Sequence, residues 1–211
     1  MPETTNAIRL HEYGGPEVMQ MDEIPLAEPG PGEVRIRHTT IGVNYADIHT
    51  RNGRYPLPEL PGCLGSEGAG FVEALGDGVD FVSVGDRVTY SSGGHALPRG
   101  SYCEARTMTA DRLIQIPDNI DDATAAAMTT KGLTAHYLVH DVYPVGSGDT
   151  IAVHAAAGGV GQILCQWANY LGARVIGIVG SETKERHAAN AGCHHTVVRG
   201  RDDIVSVVKS L

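Results

Sequence analysis

The stretch from Thr150 to Leu171 restricts the fold more than any other part of the chain. A short apolar run, Thr150–His154, passes through Ala155-Ala156-Ala157-Gly158-Gly159-Val160-Gly161 into a segment with Val160, Ile163, Leu164, Trp167 and Leu171 three and four residues apart. That change of periodicity predicts a buried strand, a turn built of small residues, and a helix over Gly159–Leu171 that stops at Gly172 as C′ residue. The spacing Ala156-x-Gly158-x-x-Gly161 matches the dinucleotide fingerprint with Ala in the first glycine position. Gly158 leaves bare backbone for a pyrophosphate to approach. Gly161 lets the helix pack closely on the strand, and the helix start offers free N–H groups and a positive dipole end to phosphate. The spacing alone also fits a tight turn with no ligand, so its surroundings decide.

Those surroundings are regular. Arg174–Val179 reads as a second strand, Ser181–Ala191 as a helix stopped by Gly192, His195–Val198 as a third strand and Asp202–Leu211 as a third helix. Strand and helix alternating three times predict a parallel sheet with right-handed crossovers. NAD binders place an acid at the end of the second strand to hold the ribose 2′-OH. Here that strand opens into Gly180-Ser181-Glu182-Thr183-Lys184, with no carboxylate at the strand end itself. Ser181 and Lys184, with Arg199 after the third strand, suit a 2′-phosphate, which favours NADPH over NADH. Taken singly, Lys184 and Arg199 are ordinary surface charges.

Upstream of about residue 120 the texture differs. Gly and Pro punctuate short runs, Glu33–Val43, Gly68–Leu75, Arg87–Tyr90 and Arg112–Ile116, which read as strands between turns. Asp121-Asp122 offers a cap for a helix through Met128, a second helical segment is expected over Gly132–Asp141, and Tyr143–Asp149 reads as a loop. The expected organisation is an irregular β domain over 1–122 followed by a parallel α/β domain over 123–211. A net charge of −9 without a basic run argues against nucleic-acid binding. No run approaches the length of a membrane helix, and the N-terminus shows no secretory leader, so the cytoplasm is the expected compartment. The 4 cysteines are scattered, with no CxxC pair, which disfavours a disulfide scaffold or a four-cysteine zinc site.

Several motifs in fixed order carry a resemblance over the whole chain: Gly14-Gly15-Pro16-Glu17-Val18, Gly42-Val43-Asn44-Tyr45-Ala46-Asp47, Leu64-Gly65-Ser66-Glu67-Gly68-Ala69-Gly70, Gly85-Asp86-Arg87-Val88, Lys131-Gly132-Leu133-Thr134 and His154–Gly161. The chain resembles the zinc-free quinone oxidoreductases of the medium-chain dehydrogenase/reductase superfamily, the group that includes zeta-crystallin. The resemblance implies a GroES-like β domain followed by a Rossmann domain. Its implied activity is NADPH-dependent reduction of a quinone, with an enone or alkenal reductase, or a catalytically inactive NADPH-binding or structural protein, as the alternatives. Zinc-dependent relatives carry Cys and His where this chain has Asn44 and Ser66, and neither Asn nor Ser is a good zinc ligand, so a metal-free site is implied. Asn44 and Thr134 would lie near the nicotinamide, and Tyr55 at the substrate mouth. The resemblance implies that these three would act as positioning residues, because a quinone can take its proton from water. Ala157, Gly158, Gly159, Val160 and Gly161 would hold the pyrophosphate, and Gly180, Ser181, Lys184 and Arg199 would surround the 2′-phosphate. Relatives often carry Tyr where Arg199 stands. His49 falls on the substrate side with a less definite role.

Other candidates have plainer readings. Cys193-His194-His195 follows a helix stop, where neighbours point apart. His154 is expected to be packed, Asp47 to stabilise a turn, and Cys63 to be an ordinary small side chain. The resemblance also implies a longer chain with more Rossmann strands. The expectation is a truncated product, ahead of strands supplied by a second chain or a shortened protein, with Val205, Val207, Val208 and Leu211 left as an uncovered apolar face. A homodimer is expected of the full-length form only.

Overall fold

The computed structural model describes residues 3–92 and 100–210. Two compact units divide the chain, Met1–Thr130 and Lys131–Leu211. No helix among the described residues is long and apolar enough to cross a membrane.

The first unit is antiparallel β structure. A three-stranded sheet has the order β2 (Met19–Pro25), β1 (Thr4–Leu10), β4 (Gly62–Cys63), and a five-stranded sheet the order β7 (Ala105–Thr109), β3 (Glu33–Ile41), β5 (Glu67–Leu75), β6 (Arg87–Ser91), β8 (Leu113–Gln115). The four strands expected from sequence form within a residue or two of their predicted limits. β1, β2 and β7 carry too few apolar residues to be read locally. β7 becomes a strand because β3 supplies its partner, with Val34 opposite Met108. Val34, Ile36, Val72, Val88 and Tyr90 fill the core of this sheet. The short helix α1 (Tyr45–Arg51) was also not legible beforehand.

Helix α2 spans Asp122–Tyr137 without a break, where two segments were expected. Gly132 costs helix propensity but does not end the helix. Its first turns are fixed by small residues and hydroxyls: Ala125 and Ala126 pack on Ala69 and Ile116, and the Thr129 hydroxyl lies 2.9 Å from that of Thr89. Asp121 is the cap, accepting the Thr124 N–H at 2.7 Å. Asp122 instead receives the Arg87 guanidinium at 2.6 Å.

The second unit is a parallel sheet in the order β11 (His195–Val198), β10 (Arg174–Val179), β9 (Thr150–His154). Ile178 stands opposite His154 and Val179 opposite Val198. α3 (Gly159–Tyr170) and α4 (Glu182–Asn190) follow β9 and β10, and Gly172 and Gly192 take the left-handed conformation expected of C′ glycines. Val175 and Val179 face Cys165, Ala168 and Ala188, whereas Ile176, Ile178 and Val197 form a second apolar face. Val207 and Val208 of α5 (Ile204–Ser210) pack on that second face, so the stripe expected to be uncovered turns inward at these two residues, and Val205 stays exposed. Leu211 lies outside the described residues. α5 begins two residues later than expected, because Asp202 accepts the Val198 N–H and Asp203 caps the helix through Ser206.

Candidate functional site

The turn after β9 is shaped by three residues. Ala155 is the one non-glycine residue among those described with positive φ, at 52°. Its carbonyl accepts the Gly158 N–H at 2.7 Å, while Ala156 N–H bonds across to Ile178 O at 3.2 Å. A Cβ on Gly161 would run into that same Ala155 carbonyl, so the close helix–strand approach read from the sequence is real and needs glycine. Gly158 sits at φ −85° as N-cap of α3 with no side-chain cap, leaving the first N–H groups of a 12-residue helix open. Gly159 lies under the stem of Lys131, whose Cδ would be 2.9 Å from a Cβ there. Lys131 escaped assignment at the sequence level, because nothing local relates it to a helix start 28 residues away.

A cavity of about 260 Å³ opens at the C-terminal ends of β9 and β10, lined by His154, Ala155, Ala157, Gly158, Ile178, Val179, Gly180, Lys184 and Arg199. Five predicted cofactor residues therefore meet at one cavity: Ala157, Gly158, Gly180, Lys184 and Arg199. Gly159, Val160 and Gly161 form the helix start behind it, and the Ser181 hydroxyl is engaged with Thr183 at 2.9 Å. His154, expected to be packed, is exposed and part of the lining.

Charge in this cavity is one-sided. No carboxylate lines it, and neither Lys184 nor Arg199 makes an ion pair among the described residues. Nearby Arg201 is held by Glu185 at 3.1 Å and by Asp202 at 2.8 Å, which takes it out of contention as a ligand group. A Cβ on Gly180 would reach only Arg199 Nη2, at 3.8 Å, so glycine keeps open the space between strand end and guanidinium. Open helix N–H groups, two uncommitted cations and this clearance together suit a dinucleotide carrying an extra phosphate.

In the first unit, Asn44 caps α1. Its N–H is accepted by Asp47 at 2.8 Å, and its side-chain amide donates to Glu67 Oε1 at 2.7 Å. Glu67 is fully buried, and its other oxygen accepts the Thr130 N–H at 2.7 Å. This carboxylate holds the Asn44 amide in one orientation. Glu67 falls in a motif that carries the family resemblance, but its role is invisible along the chain because its partners lie 23 and 63 residues away. Asp47 does stabilise the turn, and it also accepts the Tyr102 hydroxyl at 3.0 Å; burial, joined by this carboxylate, raises the phenol's pKa. Tyr55 stands edge-on to His49, with centroids 5.0 Å apart, and Tyr45 flanks the same imidazole at 5.1 Å. Thr134 is half-buried on α2 in the second unit. Among the described residues no group of three or more His, Cys, Asp or Glu stands together.

The chain matches the "Alcohol dehydrogenase GroES-like domain" over residues 30–118 and "Zinc-binding dehydrogenase" over residues 159–211. A quinone oxidoreductase of Pseudomonas aeruginosa is 46% identical over 97% of this chain and 62% of its own length. A 2-haloacrylate reductase of Burkholderia sp is 41% identical over 96% of this chain and 61% of its own. Among solved structures, the Escherichia coli quinone oxidoreductase complexed with NADPH superposes with a TM-score of 0.92 at 39% identity, covering 97% of this chain and 62% of that one. The chain thus spans about three-fifths of the length of the relatives it matches.

Proposed function

The chain belongs to the medium-chain dehydrogenase/reductase superfamily, and from that premise we propose that it serves NADPH-dependent, metal-free reduction of a quinone. The observation that carries this reading is the cavity beside β10, where Lys184 and Arg199 face the lining without a carboxylate partner. When bound, the nicotinamide supplies hydride. The chain's residues bind and orient. Gly158 and the start of α3 receive the pyrophosphate, with Ala157, Gly159, Val160 and Gly161 shaping the turn. Gly180, Ser181, Lys184 and Arg199 take the 2′-phosphate. Asn44, its amide aimed by Glu67, Tyr55 and Thr134 are proposed to position nicotinamide and substrate, with the proton coming from water. Cytoplasmic residence and a homodimer belong to the same proposal. The resemblance to a 2-haloacrylate reductase favours a conjugated alkene as the second substrate class.

The test is a fluorescence titration of NADPH and NADH into the chain and into Lys184→Ala and Arg199→Ala. A solvent-exposed, charge-assisted contact with phosphate contributes about 1 kcal/mol, so each substitution should weaken NADPH about fivefold and leave NADH unchanged. Equal affinity for the two cofactors, or NADPH binding indifferent to both substitutions, overturns the assignment.

A further inference from the structure

Around Trp167, in the C-terminal part of α3, a group of rings takes no part in the site described above. His136 and His140 lie four residues apart, the first in the last turn of α2 and the second on a single wider π-turn, Leu138–Val142. Side chains four apart on a helix share one face. Their ring centroids are 4.7 Å apart and the planes are inclined by 48°. Trp167, the one tryptophan of the chain, meets both by its edge or theirs, with centroids at 5.5 and 5.3 Å. Both imidazoles are exposed, and among the described residues neither hydrogen-bonds to a protein group.

We propose that His136 and His140 form a two-imidazole site for a borderline divalent transition-metal ion, copper(II) above the others, seated beside Trp167. The ring separation is compatible with a chelate. With a metal–nitrogen bond of about 2.0–2.1 Å, a ring centroid lies about 3.2 Å from the ion, so two rings at a right angle on one ion stand about 4.5 Å apart. The observed 4.7 Å is within a rotamer adjustment of that value. Both imidazoles meet the indole edge to face, at 68° and 74°, which places the indole beside the pair as a reporter. Two nitrogen donors at a right angle, with water completing the shell, suit the tetragonal preference of copper(II), and the affinity order of divalent ions peaks at the same metal. Such a clip would tie the end of α2 to the turn that follows it.

Trp167 provides the reading. Copper(II) chloride is titrated into the untagged chain in a buffer without chelating groups while indole emission is followed. Saturable quenching by one equivalent, reversed by EDTA and competed by zinc(II) but not magnesium, is expected. His136→Asn and His140→Asn should each raise the half-saturating copper concentration at least tenfold, with metal-free emission and melting temperature unchanged. His187→Asn, an exposed histidine on α4, should leave it unchanged. Quenching with the same midpoint in both histidine variants, a loss of equal size in His187→Asn, or no saturation at one equivalent overturns the proposal. Should one variant fail to fold, the other carries the comparison.

Discussion

Burying a histidine between fixed partners has a cost that appears only on acidification. His38 Nδ1 lies 2.8 Å from the Cys103 carbonyl, which can only accept, so Nδ1 carries the proton; Nε2 then accepts the Tyr90 hydroxyl at 2.8 Å. That is a neutral imidazole with both nitrogens used. Burial is the main reason its pKa falls to about 4, and the Arg106 guanidinium, lying 5.5 Å over the Tyr90 ring, adds to the fall, against the opposing bond to Cys103. An unfolded chain returns the imidazole to about 6.5, so below that pH the unfolded state binds more protons and the folded state loses relative stability. The loss begins near pH 6.5, reaches about 2 kcal/mol at pH 5 and levels off at about 3 kcal/mol below pH 4. The assay is proton NMR of the histidine Cε1 resonances between pH 7.5 and 4, with the His38 signal assigned by its absence in His38→Gln. Denaturant midpoints of both proteins over the same range give the stability difference. A His38 resonance titrating near 6.5, or a wild-type pH dependence unchanged in His38→Gln, would refute the reasoning.

Three substitutions test other parts of the structure. Gly161→Val forces side-chain atoms into the Ala155 carbonyl and should cost about 1–3 kcal/mol in denaturant unfolding while weakening NADPH. Ala155→Gly relieves a left-handed alanine; after the entropy glycine adds to the unfolded chain, a gain of about 0.5–1 kcal/mol is expected by the same measurement. Glu67→Gln turns an acceptor pair into one acceptor and one donor, so either the Thr130 N–H or the Asn44 amide loses its partner in a fully buried site. A loss of about 2 kcal/mol, seen as a lower denaturation midpoint, should follow.

What the sequence determined by itself is the nucleotide half. Strand, glycine turn and amphipathic helix are written in residues adjacent along the chain, and the parallel order of three strands follows from their alternation with helices, because crossover handedness leaves little choice. Gly161 and Gly172 carry their reasons locally, in a close approach and a positive φ. The continuity of α2 is not legible for the opposite reason: composition offers a break at Gly132, but a single glycine costs propensity without ending a helix. Tertiary structure alone decided that Arg201 is tied up by acids while, among the described residues, Lys184 and Arg199 make no ion pair. It alone placed a buried carboxylate behind Asn44 and set His38 between Cys103 and Tyr90. Those partners stand 23 to 65 residues apart. Hydrogen bonds and burial act through space, whereas periodicity reports only the nearest few residues of chain.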